Sequence, residues 1–341
     1  MSISTQNFGS IDGQDIHLYE LRNQQEHCIQ LTNYGAILVR VEVPDRNGKI
    51  ENVNLGFSSL EKYLAGHPYL GSTVGRFCNR IAAGKFNLDS NSYELAINNG
   101  PNHLHGGIVG FDKLIWAAEI LEGSQDCGVR FSLESPDGQE GYPGTLQIVA
   151  EYRWNDSNEL SYSFQATTDK PTVLNLTNHA YWNLGGVGSG DIRGHELKLF
   201  CDRYLDVDAD LIPTGELVPT DGTSLDFADF RTLGERLDEF EVTKGYDHCY
   251  VVNGEAGGEA RVAGIARDPQ SGRCMEVRTT QPGMQLYTGN HLEGDFEAYS
   301  GFCLETQHYP DSPNKPEFPT TRLNPGETFS QQTIHRFFVA D

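Results

Sequence analysis

One histidine, His179, lies at the centre of the stretch "NLTNHAYWNLGG", which covers residues 175 to 186. Its neighbours are asparagines and aromatic side chains, and a glycine pair ends the stretch in a predicted turn. An imidazole exchanges a proton near neutral pH, so it suits general acid–base catalysis. Two interpretations stay open for this residue: a strand histidine satisfied by backbone groups, or an acid that faces a ligand.

A carboxylate that could complement this histidine lies in "GFCLETQHYPDSPN", residues 301 to 314. Glu305 ends an apolar run just before a proline-rich loop. It is either a surface charge at a strand end or a partly desolvated group at the mouth of a pocket. In the second setting its pKa would rise, which would make the carboxylate a usable base. Periodicity does not decide between the two.

Three further segments combine cationic, amide and imidazole side chains: "GRFCNRIAAGKF" (75–86), "NNGPNHLHGG" (98–107) and "KGYDHCYV" (244–251). These side chains suit a polyhydroxylated ligand, because every hydroxyl both donates and accepts hydrogen bonds and needs partners of both kinds. A sugar is the natural prediction. The residues concerned are Arg76, Asn79, Arg80, His103, His105, Asp247 and His248.

Other catalytic chemistries lack their characteristic spacing. The sequence has no G-x-S-x-G elbow for a serine hydrolase, no G-x-x-x-x-G-K-[ST] loop for phosphate and no H-E-x-x-H pair for zinc. His103 and His105 are two residues apart and could bind a metal from one strand face, as in cupins, but no third ligand is close in sequence. We therefore predict no metal.

The charge of the chain restricts its partners. Among 341 residues, 48 acidic and 25 basic side chains give a net charge of -23. This field repels phosphate backbones and anionic membranes, so we expect no nucleic-acid or membrane partner, and a neutral ligand is favoured.

The start "MSISTQNFGSIDGQD" has no leader pattern, which predicts a cytoplasmic protein. The seven cysteines form no C-x-x-C pair and are predicted to be reduced, buried thiols.

Alternation of apolar and polar residues recurs along the chain and predicts half-buried strands. Clear examples lie at residues 39–43, 146–154 and 160–166. Helical periodicity is limited to residues 58–66 and 226–240, each predicted to form a helix of a few turns. Because regular strand–helix alternation is missing, we predict an all-β fold: one large antiparallel β unit over residues 1–341.

With these clusters in view, the sequence resembles the aldose 1-epimerase (galactose mutarotase) family. The resemblance runs over nearly the whole chain as nine motifs in family order. They are "NYGAIL" (33–38), "GRFCNRIAAGKF" (75–86), "NNGPNHLHGG" (98–107), "GFDKLIW" (110–116), "LTNHAYWNL" (176–184), "LIPTGEL" (211–217), "YDHCYV" (246–251), "MQLYTGN" (284–290) and "LETQHYPDSPNKPEFP" (304–319).

The resemblance implies a galactose mutarotase-like supersandwich of antiparallel strands with a few short helices, a sugar cleft and no cofactor. It implies His179 as general acid and Glu305 as general base. His103 lies where the family varies, so we expect it outside the site. The remaining sugar contacts would be Asn79, Arg80, His105, Asp247 and Gln285.

The predicted function is therefore interconversion of the α and β anomers of free aldohexoses such as galactose and glucose. We expect a monomer or homodimer whose partner is a small-molecule aldose. Two alternatives stay open. A non-catalytic sugar-binding or regulatory module would not need an acid–base pair, and a hexose-6-phosphate 1-epimerase would need extra basic residues for the phosphate.

Overall fold

The computed structural model describes residues 1–340 of the chain. Its strands are, in chain order, β1 (Ser2–Ile11), β2 (Gln14–Arg22), β3 (Cys28–Thr32), β4 (Ile37–Pro44), β5 (Ile50–Asn52), β6 (Thr73–Val74), β7 (Arg80–Ile81), β8 (Lys85–Leu88), β9 (Asn91–Glu94), β10 (His103–Leu104), β11 (Ala117–Glu122), β12 (Asp126–Ser135), β13 (Leu146–Asn155), β14 (Glu159–Thr168), β15 (Thr172–Val173), β16 (Thr177–Asn178), β17 (Glu196–Leu199), β18 (Arg203–Val207), β19 (Pro213–Pro219), β20 (Arg231–Thr232), β21 (Asp247–Val251), β22 (Arg261–Arg267), β23 (Arg273–Thr279), β24 (Gly283–Tyr287), β25 (Cys303–Gln307), β26 (Arg322–Leu323) and β27 (Phe329–Val339). The α-helix α1 spans Leu60–Leu64, and short 3-10 helices span Ala82–Gly84, Phe111–Lys113, Gln139–Gly141, Leu237–Glu239 and Ser312–Asn314.

Three large sheets dominate the architecture. One has nine strands in the order β11-β12-β13-β14-β27-β23-β22-β17-β20, a second is the five-stranded meander β1 to β5, and a third has the order β19-β18-β21-β24-β25. Neighbouring strands pair antiparallel within each of them. This architecture confirms the predicted antiparallel all-β fold with a few short helices.

The alternating segments fold as predicted because one face of each strand is buried. In β13, for example, alternate side chains from Leu146 to Trp154 are buried and the intervening ones are more exposed. One hydrophobic cluster joins buried residues from Tyr19, near the amino end, to Phe337, near the carboxyl end. That shared core joins strands from both ends of the described chain.

The two helix predictions have different outcomes. Residues 58–66 contain α1, as predicted, whereas the prediction of a helix over residues 226–240 is wrong. There the backbone bonds to other parts of the chain: Leu233 N–H donates to the carbonyl of His195, and β20 pairs with β17 at the edge of the nine-stranded sheet. Tertiary pairing thus replaces the local bonds that a helix would make.

The placement of the cysteines agrees with the prediction of buried, reduced thiols. All seven cysteines are buried and unpaired within the described structure. In addition, residues 1–340 contain no helix that is both long and apolar enough to cross a membrane.

Candidate active site

The third sheet positions a carboxylate, an amide and a second carboxylate on one face. Gln285 of β24 lies directly opposite Glu305 of β25. Asp247 begins β21, two residues before the partner of Gln285, so its side chain points to the same face. Gln285 Nε2 donates a 2.6 Å hydrogen bond to Asp247 Oδ1. Strand register therefore fixes three of the predicted site residues as one unit.

His179 follows directly after β16 and is held by its own backbone. Its N–H donates to the carbonyl of Ser72, and its carbonyl accepts from the N–H of Gly71. The imidazole stacks with the rings of Tyr69 and Tyr181, at centroid distances of 5.8 Å and 5.0 Å. Two aromatic neighbours therefore restrict the tilt of the ring.

The two groups predicted to exchange protons lie close together. His179 Nε2 is 3.7 Å from Glu305 Oε1, and both side chains are at least nine-tenths buried. The other ring nitrogen, Nδ1, is 3.5 Å from the Sγ of Cys303. Residues that are far apart in sequence thus converge on one point.

Asn79, Arg80 and His105 reach the same point from a loop region. The short strands β7 and β10 pair with each other, which brings the two motifs together. Asn79 N–H donates to His105 Nδ1 at 3.1 Å. Arg80 donates through Nε to Asn99 Oδ1 at 3.2 Å, and its Nη2 lies 3.5 Å from Asp247 Oδ2. Arg80 therefore links the loop residues to the sheet.

Glycine is required at both positions after His105 for steric reasons. A Cβ on Gly106 would overlap the carbonyl oxygen of Gly75, and a Cβ on Gly107 would overlap the carboxylate of Glu140. Both glycines also have positive φ angles, 86° and 110°. Glu140 accepts hydrogen bonds from the N–H groups of Ile108 and Val109 at 2.9 Å and 3.0 Å, which holds the loop in place.

These side chains surround a cavity of about 190 Å³. Six of the seven predicted site residues line it, and Gln285 lies behind them, bonded to Asp247. A larger cavity, of about 470 Å³, lies elsewhere, and its described lining contains one carboxylate, Asp202, and no histidine. The smaller cavity is therefore the one whose lining combines carboxyl groups with imidazoles. Its lining is Pro68, Tyr69, Asn79, Arg80, Asn99, Leu104, His105, His179, Tyr181, Asp247, Tyr287, His291 and Glu305.

Sequence reasoning missed several of these lining residues. Tyr69, Tyr181, Tyr287 and His291 are not among the residues predicted from the sequence. Asn99, Tyr181 and Tyr287 belong to the quoted segments "NNGPNHLHGG", "LTNHAYWNL" and "MQLYTGN", so these motifs are the available signal. The signals for the other residues were weak, because an isolated aromatic in a loop has no characteristic spacing.

Other polar residues of the same motifs have structural roles. The guanidinium of the buried Arg76 donates five hydrogen bonds to groups of residues 135–144. His103 does not share a metal-binding face with His105, because its Nδ1 bonds the carbonyl of Ala96 and its Nε2 bonds the hydroxyl of Tyr142. Hydrogen bonding thus keeps both residues away from the cavity, as expected for His103 but not for Arg76.

Burial determines the charge of the central groups. It raises the pKa of Glu305 well above its usual range; Asp247 adds to the shift and Arg80 opposes it. Burial also lowers the pKa of His179 to about 4 and that of His105 well below its ordinary value. Burial therefore favours the uncharged form of each of these three groups.

His105, His179 and Glu305 could in principle offer ligands to a metal, since one ligand atom of each lies within 4.8 Å of the others. A metal-binding imidazole normally donates its other N–H to an acceptor. His105 does the opposite, because its Nδ1 accepts from Asn79 and the ring hydrogen therefore lies on Nε2. This arrangement suits donation of a hydrogen bond into the cavity better than metal binding.

Comparison with known proteins identifies the family of the chain. A family model described as aldose 1-epimerase matches residues 17–336. The chain is 44% identical to galactose mutarotase of Bos taurus over 95% of each chain. It is 36% identical to aldose 1-epimerase of Escherichia coli K12 over 96% of this chain and 97% of that protein. The crystal structure of galactose 1-epimerase from Lactobacillus acidophilus superposes with a TM-score of 0.89 at 29% identity, covering 100% of this chain and 99% of that one.

Proposed function

The chain belongs to the aldose 1-epimerase family and has that activity, and we propose that His179 and Glu305 are the acid–base pair that interconverts the anomers of free aldohexoses such as galactose and glucose. The observation that carries this proposal is the distance of 3.7 Å between His179 Nε2 and Glu305 Oε1 at the wall of an open cavity. A sugar in that cavity would contact both groups at once.

The reaction needs two proton transfers. Glu305 as carboxylate accepts the proton of the C1 hydroxyl, while His179 as imidazolium donates one to the ring oxygen. The bond between C1 and the ring oxygen breaks, and C1 becomes the carbonyl carbon of the open-chain aldose. Rotation about the C1–C2 bond then presents the other face of this carbonyl, and the transfers reverse to close the ring.

The proton count of the pair matches this cycle. A carboxylic acid beside a neutral imidazole carries the same number of protons as a carboxylate beside an imidazolium. The first arrangement, which burial favours, is the one that the scheme assigns to the open-chain stage. The pocket thus favours the proton arrangement of the open-chain stage, which must form from either anomer.

The other predicted residues would bind the sugar. The Nε2–H of His105 points a hydrogen-bond donor into the cavity, and Arg80 offers further donors. Asp247 accepts hydrogen bonds and is itself oriented by Gln285. Asn79 shapes the loop through its bond to His105. Donors and acceptors are therefore both present, as sugar hydroxyls require.

Polarimetry on freshly dissolved α-galactose and α-glucose tests the acid–base proposal. We expect the wild-type protein to accelerate anomer equilibration and Glu305→Gln to reduce kcat by about 10²–10⁴-fold. Glu61→Gln, an exposed change on α1, is the control and should keep full activity. If Glu305→Gln stayed within about tenfold of wild type, Glu305 would not be the base.

Two alternatives have distinct outcomes in the same assay. Sugar binding without faster equilibration would indicate a binding module. Faster equilibration of glucose 6-phosphate than of glucose would indicate a phosphosugar epimerase. We favour free sugars because the arginine in the cavity lining, Arg80, already lies beside Asp247. We also propose a cytoplasmic monomer or homodimer without nucleic-acid or membrane partners, in keeping with the net charge of -23.

A further inference from the structure

We propose that Cys303 is a positioning residue, which holds the imidazole of His179 in the one orientation that serves proton transfer in both directions. The inference rests on the proposed acid–base role of His179. It assigns a function to a buried thiol that the reaction scheme does not otherwise use.

The first support is the position of Cys303 on its strand. Cys303 and Glu305 are two residues apart on β25, so their side chains point to the same face. The imidazole of His179 lies between them: Nδ1 is 3.5 Å from the Cys303 sulfur, and Nε2 is 3.7 Å from the Glu305 carboxyl group. Side chains of one strand, β25, therefore lie beside both nitrogens of the imidazole ring.

The second support is the freedom that the aromatic neighbours leave. Tyr69 and Tyr181 stack on the imidazole with interplanar angles of 20° and 24°, which fixes its plane. A flip of 180° about the Cβ–Cγ bond stays within that plane. Such a flip would replace Nδ1 by a C–H group at the thiol and Nε2 by a C–H group at Glu305. A hydrogen bond to Cys303 stabilises only the productive orientation.

The third support is the chemistry of the thiol. Burial, and then the nearby Glu305 and Asp247, raise the pKa of Cys303 well above its ordinary value, so its sulfur keeps its hydrogen. A thiol donates weakly and accepts weakly. In the scheme the imidazolium gives its Nε2 proton to the ring oxygen, so the neutral imidazole keeps its hydrogen on Nδ1, and the sulfur can accept from Nδ1–H in both states. A carboxylate in its place would favour the imidazolium alone.

Three substitutions separate hydrogen bonding from packing. Cys303→Ser keeps a group that donates and accepts, Cys303→Val keeps the volume without one, and Cys303→Ala keeps neither. We expect kcat of the serine variant to stay within about threefold of wild type, and kcat of the valine and alanine variants to fall by about tenfold with little change in KM. Cys201→Ala is the control, because Cys201 is also buried but its sulfur faces the carbonyl of Ala263.

The ranking of the variants decides the proposal. Activity that follows volume, with the valine variant near wild type and the serine variant impaired, would overturn it. So would valine and alanine variants as active as Cys201→Ala. Should the alanine variant fail to fold, the serine and valine pair gives the same decision. If wild type itself showed no mutarotation, the proposed function and not the positioning role would have failed.

Discussion

His179 and His335 are two buried imidazoles in very different surroundings. Both lie more than nine-tenths buried, and burial lowers the pKa of His179 to about 4 and that of His335 to about 3. His179 lines the cavity and faces Glu305 at 3.7 Å. His335 lies in the core, with its ring edge-on to Tyr162 and Trp182, and neither of its nitrogens has a hydrogen-bond partner among residues 1–340.

The comparison shows which observations identify a catalytic histidine. Depth and a lowered pKa are common to both residues, so they carry no functional information by themselves. A cavity that admits a ligand and a carboxyl group within a few ångströms distinguish His179. The cavity and the carboxyl group that the ring contacts therefore determine its catalytic role. The hydrogen bonds that a buried ring does not make affect the stability of the fold.

The largest expected difference between the two histidines is in activity. His179→Asn should reduce kcat by about 10²–10⁴-fold, because it removes a proton donor from the cavity. His335→Leu should leave kcat within about twofold of wild type, because His335 does not line the cavity. Polarimetric rates for the two variants and wild type measure this. Equal losses of activity would remove the distinction between the two sites.

The second difference is in stability against pH. The unfolded chain protonates His335 below its usual pKa near 6.5, whereas the folded chain does so only near a pKa of about 3. Wild type therefore loses stability as pH falls from about 6.5 to 3. The free energy of unfolding of His335→Leu should exceed that of wild type by about 1 kcal/mol at pH 7, since two unpartnered nitrogens are removed.

That advantage should grow by about 1 kcal/mol for each pH unit below 6.5. Urea unfolding of both proteins at pH 7, 6 and 5 measures the trend. An advantage that does not change with pH would mean that His335 is as readily protonated in the folded protein as in the unfolded chain.

The smallest expected effect is the change in stability of Glu305→Gln, which increases as pH rises, whereas that of His335→Leu increases as pH falls. Glu305 has a raised pKa in the folded protein, so its contribution to stability is complete below about 4.5 and is lost as pH rises. Glu305→Gln should therefore gain stability over wild type between pH 5 and 8, by about 1 kcal/mol in total. The gain is smaller than that at His335 because the cavity opens to solvent.

Urea unfolding at pH 5 and pH 8 measures the gain, with Glu61→Gln as an exposed control that should follow wild type. A stability difference that shrinks as pH rises would contradict the raised pKa of Glu305.

Arg76 and Arg80 show where sequence reasoning stops. They are four residues apart in one motif, and composition offers no way to separate them. The family resemblance implies a sugar contact for Arg80 alone, and the fold supplies the reason: Arg76 is saturated by groups of the 135–144 segment, whereas Arg80 lines the cavity beside Asp247. The strand pattern was predictable because alternate burial is a local signal. Hydrogen-bond partners distant in sequence are not.

Tyr69 and the 226–240 segment illustrate two further limits. Tyr69 stacks on His179 from a loop. Its φ angle is positive, at 59°, and the neighbouring residues do not predict this conformation. Residues 226–240 have helical spacing, yet their backbone bonds to the edge of the nine-stranded sheet. In both cases the decisive contact lies far away in the chain.

The register between β24 and β25 has a consequence for how such proteins can diversify. Glu305 is fixed by a sheet, where a slip of one residue would turn it to the opposite face. Much of the rim of the cavity is built from loop residues such as Tyr69, Asn99 and His291. Proton transfer at C1 is common to all aldoses, whereas the remaining hydroxyls differ among them. Mutations in the rim can therefore alter the preferred sugar over evolutionary time while the reactive centre stays in place.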